Sequence, residues 1–221
     1  MSFLKPSRVP SIFTWLYPSW YLWSKPKGKK TIYLTFDDGP IPEVTDFVLD
    51  TLSRKRDNPI PATFFCIGDN VRKHPEVFKR ILAEGHAIGN HTYNHLQGWK
   101  TDNDTYLKNT QLAELEMSKH IERNPDTLSS TLFRPPYGKI KRTQASALRK
   151  MGYKIVMYRV VAYDWESSLT PEACLHNVID TAKDGDIIVF HDSVKAYKNL
   201  QYTLPKVIEY FENAEFSFGK L

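Results

Sequence analysis

Short apolar runs with strand character alternate along this chain with segments of helical spacing, and no other feature restricts its folding as strongly. "TIYLTF" (residues 31–36) precedes "EVTDFVLDTLSRK", where Val44, Phe47, Val48 and Leu52 share one helical face. "PATFFCIG" leads into "PEVFKRILAEG", with Pro75 at the helix start and Gly85 just past its end. "HAIGNHT" is a brief strand entering a polar turn, and a longer helix is expected over residues 104–123. "TLFRPP", "RTQASALRKMG", "YKIVMYRVV", "TPEACLHNVIDTAKDG", "DIIVFHD" and "YTLPKVIEYF" then continue the alternation of strand and helix. Strands that are apolar along their whole length predict a parallel sheet covered by helices. An open doubly wound sheet and a closed barrel both fit this pattern.

The chain of 221 residues is long enough for one sizeable domain, expected over residues 31–221 after an N-terminal arm of residues 1–30. Its net charge of +5 is spread too thinly to indicate nucleic-acid binding. Cys66 and Cys174 each lie in an apolar pattern and read as buried free thiols. No stretch reaches the roughly 20 apolar residues of a membrane span. The arm carries "SIFTWLYPSWYLW", interrupted by Pro18 and without a small-residue cleavage site, so a cytoplasmic location is expected. Trp15, Trp20 and Trp23 are expected to pack over one end of the core. The alternative for the arm is a peripheral membrane anchor, assisted by the basic "KPKGKK" that follows.

Polar groups stand at the strand ends. Asp37 and Asp38 directly follow the first strand, and Arg134, Asp164 and His191 end later ones. In α/β folds these ends build the active site. Adjacent carboxylates beside an apolar strand repel and lose hydration, so a cation is the simplest compensation. "HTYNH" sets His91 and His95 four residues apart, which on a helical turn projects both imidazoles from one face. Two nitrogens and one oxygen suit zinc or a neighbouring first-row ion such as cobalt. One aspartate would then hold the metal while its neighbour takes a proton from water.

"TFDDGP", "HTYNH", "RPPYG", "YDW" and "IIVFHD", in this order, resemble the five motifs of the NodB-homology polysaccharide deacetylases, carbohydrate esterase family 4. The resemblance implies a distorted (β/α) barrel of about seven parallel strands and a metal-dependent hydrolase. That enzyme would remove N-acetyl groups from an amino-sugar polymer or oligosaccharide. It further implies Asp37 as base, Asp38, His91 and His95 as ligands of one divalent ion, and His191 as the acid. Arg134 would pair with Asp164 and orient the base. Tyr137 would offer its backbone N–H to the oxyanion, while Trp165 and Val189 would line the acetyl pocket. Asp192 is left to orient His191 or to cap the next segment. Val161 stands where the family pattern has a further aspartate, which implies altered hydrogen bonding at this rim. A deacylase of another amide or O-acetyl sugar, and an inactive carbohydrate-binding relative, are the alternatives.

Overall fold

A computed structural model describes residues 6–53, 59–121 and 132–221, apart from the side chain of Phe13. The strands are β1 (Tyr21–Leu22), β2 (Thr31–Asp37), β3 (Thr63–Cys66), β4 (Ala87–Asn90), β5 (Leu132–Phe133), β6 (Lys154–Val156), β7 (Val160–Val161), β8 (Ile187–His191) and β9 (Ser217–Phe218). Between them lie α1 (Ser11–Trp15), α2 (Val44–Ser53), α3 (Gly68–Lys73), α4 (Pro75–Ala83), α5 (Asn103–Ser118), α6 (Arg142–Lys150), α7 (Pro171–Ile179) and α8 (Tyr197–Asn213).

Eight strands pair in the order β1-β6-β5-β4-β3-β2-β8-β7, and β9 joins the start of β2. Each of these ladders is parallel. β3 and β4 are buried at every position, because helices cover one side while side chains fill the curled sheet on the other. Phe36 of β2 stacks on Phe64 at 5.1 Å and on Phe190 at 6.0 Å, tying three neighbouring strands together. Local signals agree with the packing. Pro75 opens α4, Gly85 follows it at φ 78°, and Asp102 caps α5 by accepting from the Thr105 N–H at 2.9 Å.

Three expectations need correction. The run of residues 153–161, read as one strand, is two. β6 pairs with β5, whereas β7 pairs with β8 on the other side of the sheet. The chain crosses from one edge of the curl to the other through Met157–Arg159, so this run holds the incomplete barrel together. α5 spans Asn103–Ser118 and so ends before the close of the expected range of residues 104–123, whose last two residues lie outside those described. Trp15 does not pack on the core. It is 85% exposed, and only Trp20 and Trp23 join the cluster of Tyr21, Tyr106 and Phe133.

The arm works as a strap across the same gap. The Ser7 carbonyl accepts from Val161 N–H at 2.8 Å, and Val9 N–H donates to the Arg159 carbonyl at 2.9 Å. β1 then pairs with β6. Arg8 anchors the strap, forming an ion pair with buried Asp186 and donating to the Thr181 carbonyl at 2.8 Å. Among the described residues no helix is long and apolar enough to cross a membrane.

Removing the Arg8 side chain leaves the Asp186 carboxylate buried without its cation. Arg8→Ala should therefore lower unfolding stability by about 1–3 kcal/mol. Lys27→Ala, on an exposed part of the same strap, should change it by less than about 0.5 kcal/mol. Urea denaturation of both variants checks this, and equal losses would show that the strap is not held by Arg8.

Candidate metal-dependent active site

Asp37, the last residue of β2, is 3% exposed, and its Oδ1 accepts from Arg134 Nη1 at 2.7 Å. Arg134 is wholly buried just after β5. It also donates to Thr35 Oγ1 at 2.7 Å and to the Met157 carbonyl at 2.9 Å, with its guanidinium 4.1 Å above the Phe65 ring. Burial by itself would raise the Asp37 carboxyl. The charges of Arg134, His91 and His191 and the Arg134 hydrogen bond outweigh it and hold the group below the usual carboxylate range.

The expected pairing of Arg134 with Asp164 is therefore wrong. Asp164 serves His191 instead. Its Oδ1 lies 2.9 Å from His191 Nδ1, and its Oδ2 accepts the His191 backbone N–H at 2.7 Å. The guanidinium sits among β2 and the crossing run, and it neutralises the carboxylate that end of the barrel presents. Burial pulls the His191 imidazole down, but the Asp164 charge and hydrogen bond, with the charges of Asp38 and Asp37, push it up to about 9. Asp164 is thus the orienting partner of the acid candidate and does not touch the base candidate.

Asp38 follows with φ 86°, and its carbonyl accepts from Asn70 Nδ2 at 2.7 Å. Its Oδ1 lies 3.3 Å from His95 Nε2 and 3.8 Å from His91 Nε2. Donor atoms of Asp38, His91 and His95 all fall within 4.8 Å of one another. His91 Nδ1 is 2.7 Å from the Arg134 carbonyl, so it carries the proton and leaves Nε2 with a lone pair for the cluster. Burial, opposed by nearby carboxylates, keeps His91 below its ordinary value and, with the His91 charge, brings His95 down to about 4. Both imidazoles are neutral at neutral pH, the form in which a metal could be held. The buried Asp38 Oδ1 has no hydrogen-bond donor. An unpartnered carboxylate oxygen facing two neutral imidazole nitrogens fits a divalent cation, and the donor set suits zinc chemistry.

"HTYNH" is not the helical turn expected. Thr92 and His95 have φ of 64° and 55°, so the segment is a loop with two left-handed residues. Asn109 of α5 holds it, its Oδ1 accepting from Tyr93 N–H at 2.9 Å and Asn94 N–H at 3.0 Å. Asn90 Oδ1 accepts from Thr92 N–H at 2.8 Å. The spacing still brings both rings together, at 5.1 Å between centroids. Asn90 and Asn109 escaped the sequence reading. The only available signal was a polar residue on an apolar strand end and another on the buried face of a helix.

Asp192 neither orients His191 nor caps a helix. It is fully buried, accepts from Gly39 N–H at 2.9 Å and from Thr45 Oγ1 at 2.6 Å, and so locks the turn after Asp38. Burial, reinforced by the Asp38 charge against these hydrogen bonds, pushes its carboxyl up to about 7. A Cβ at Gly39 would lie 1.9 Å from Asp192 Oδ2, so only glycine admits this approach.

Asp37, Asp38, His91, His95 and His191 line a cavity of about 570 Å³ at the C-terminal ends of the strands. Tyr137, Trp165 and Val189 line it too. Trp165 stands 4.3 Å from the His191 ring, and Tyr137, at φ 60°, lies 4.6 Å from the His95 ring. Val161 is buried in β7 opposite Val189, where it offers no hydrogen bond from its side chain.

The polysaccharide deacetylase family model matches residues 24–156. A peptidoglycan-N-acetylglucosamine deacetylase of Bacillus cereus is 34% identical over 206 residues, covering 92% of this chain and 92% of that protein. A second B. cereus protein of that name is 34% identical over 181 residues. The match covers 82% of this chain and 62% of the relative, less than two thirds of its length. Among solved structures, a peptidoglycan N-acetylglucosamine deacetylase in complex with 4-naphthalen-1-yl-N-oxidanyl-benzamide superposes with a TM-score of 0.84. The two are 30% identical, and the superposition covers 96% of this chain and 95% of that one. With its parallel half-barrel and its strand-end carboxylates and imidazoles, the chain belongs to the polysaccharide deacetylase family.

Proposed function

We propose that this protein hydrolyses the N-acetyl amide of an amino-sugar polymer or oligosaccharide, peptidoglycan- or chitin-like, with one divalent ion, zinc or a close first-row relative. The observation that carries this reading is a buried carboxylate and a half-buried imidazole on one cavity, each given its own counter-charge. Arg134 keeps Asp37 ionised, and Asp164 keeps His191 protonated. When bound by Asp38, His91 and His95, the cation supplies Lewis acidity, lowering the pKa of a water and polarising the amide carbonyl.

Asp37 Oδ1 is engaged by Arg134, so Oδ2 takes the proton of the attacking water. Water attacks the acetyl carbon, and the Tyr137 N–H donates to the oxygen on which charge develops. His191 holds Nδ1 against Asp164 and gives its proton from Nε2 to the amine nitrogen as the C–N bond breaks. Acetate and the free amine are the products. Trp165 and Val189 enclose the methyl group, and Trp165 also fixes the plane of the His191 ring.

Acetate release from N-acetylated chito- and muro-oligosaccharides tests the reading. Asp37→Asn should retain the metal and lose turnover by about 10²–10⁴. Asp38→Asn should lose metal affinity, because an amide oxygen is a poorer ligand than a carboxylate. Metal analysis of the two variants should separate them, and equal metal loss would remove the division of labour.

The pH profile follows from the same pairs. With His191 raised to about 9, its acid form persists through neutral pH and is lost as pH climbs past that value. In Asp164→Asn the largest raising charge is gone while burial and the weaker pull of Asp38 and Asp37 remain, so the imidazole should fall from about 9 toward its ordinary value. The alkaline limb of the rate profile should move acidward by about two units or more. Amide turnover at neutral pH should drop, and an activated ester, whose leaving group needs no proton, should suffer less. An unmoved alkaline limb would mean that His191 is not the acid.

A further inference from the structure

Residues 1–36 contain six lysines and arginines and no aspartate or glutamate; residues 134–163 contain eight and again no acid. The described residues of these two segments, from residue 6 onward in the first, pack on each other. β1 pairs with β6, Arg149 lies 5.2 Å over the Trp20 ring, and Arg159 Nη2 donates to Ser11 Oγ at 3.1 Å. The strap descends antiparallel to β7 through Ser7 and Val9, turns at α1, and climbs again parallel to β6. α1 and the turn after it therefore lie at the N-terminal ends of the strands, opposite the cavity. Met151, in the turn from α6 into β6, and Lys27 and Lys29, ahead of β2, lie at that same end.

This end carries large apolar side chains in the open. Ile12 is 66% exposed, Trp15 85%, Leu16 68% and Met151 41%. Ile12, Trp15 and Leu16 fall at i, i+3 and i+4, so they form one stripe. The acids nearby are engaged. Asp186 is paired with Arg8, Asp184 accepts the N–H groups of Gly28 and Thr31, and Glu215 lies 3.6 Å from Lys30. Lys27, Lys29, Arg149, Lys150 and Lys154 give the exposed face its positive charge.

We propose that this face seats the protein on an anionic lipid surface, with Ile12, Trp15 and Leu16 entering the boundary between headgroups and acyl chains. An apolar stripe with tryptophan suits that boundary, and surrounding cations add attraction to acidic headgroups. Either signal alone is weak, and the two together give reversible attachment. An anionic polymer would satisfy the cations and leave the stripe in water, so the lipid surface is the better complement. The seated molecule would turn its cavity away from the bilayer.

The full chain should cosediment with phosphatidylcholine vesicles containing phosphatidylglycerol at least about tenfold better than with phosphatidylcholine alone, and less so in high salt. Trp15→Ser with Leu16→Ser, and separately Lys150→Glu with Lys154→Glu, should each lower that binding by about tenfold. These residues are exposed and far from the cavity, so metal content and acetate release from soluble oligosaccharides should not change. No preference for acidic vesicles would overturn the proposal. So would full binding by the Trp15/Leu16 variant, or equal retention of both variants on polyglutamate beads.

Discussion

A guanidinium with no exposed surface must find its neutralising charge inside the protein, and Arg134 finds it in Asp37. That pair sets much of the surrounding structure. Thr35 and the Met157 carbonyl take two further donors, so the guanidinium links β2 to the run that crosses the gap between β6 and β7. The Arg134 carbonyl in turn receives the His91 Nδ1 proton. One residue thereby keeps Asp37 ionised, selects the tautomer of His91 and ties β2 to the crossing run. Removing the arginine would leave a buried carboxylate beside Asp38 without its hydrogen-bonded counter-charge.

The second carboxylate is held by quite different means. Asp38 lies in a left-handed turn fixed from below by Asp192, which reaches the backbone of Gly39 through a gap too narrow for any Cβ. Three acidic groups thus share a small region with three separate environments. Asp37 has an arginine, Asp38 faces two neutral imidazoles, and Asp192 has hydrogen bonds and no cation. Like charges placed so closely are tolerable only because their environments differ. Across the cavity His191 is kept cationic by Asp164, so Asp37 and His191 coexist in opposite charge states at neutral pH.

The strap explains how a barrel with irregular strands stays shut. β6 and β7 are short and belong to opposite edges, so few backbone bonds cross the gap directly. Residues from Ser7 to Leu22 supply them, satisfying edge groups that would otherwise be open to solvent or to another chain. The cost is a turn whose apolar stripe has no place in the core.

Alternation of apolar runs and helical faces was enough to predict a parallel sheet with helices over it, because burial on both sides removes polar residues from the strands. Strand-end positions of Asp37, Asp38, His91, Arg134, Asp164 and His191 were legible for the same reason: a charge in such a run is affordable only where the run ends. Spacing brought His91 and His95 together correctly, although the backbone between them is a loop, since two rings four residues apart meet in either form. Partner choice was not legible. Whether Arg134 serves Asp37 or Asp164, and whether Asp192 serves His191 or Gly39, depends on which elements the curl of the sheet places side by side. Sequence by itself determined which groups reach the rim, through local periodicity and the exclusion of charge from the core. Only the tertiary structure decided which of them pair, because pairing between residues 97 positions apart is set by the closing of the barrel.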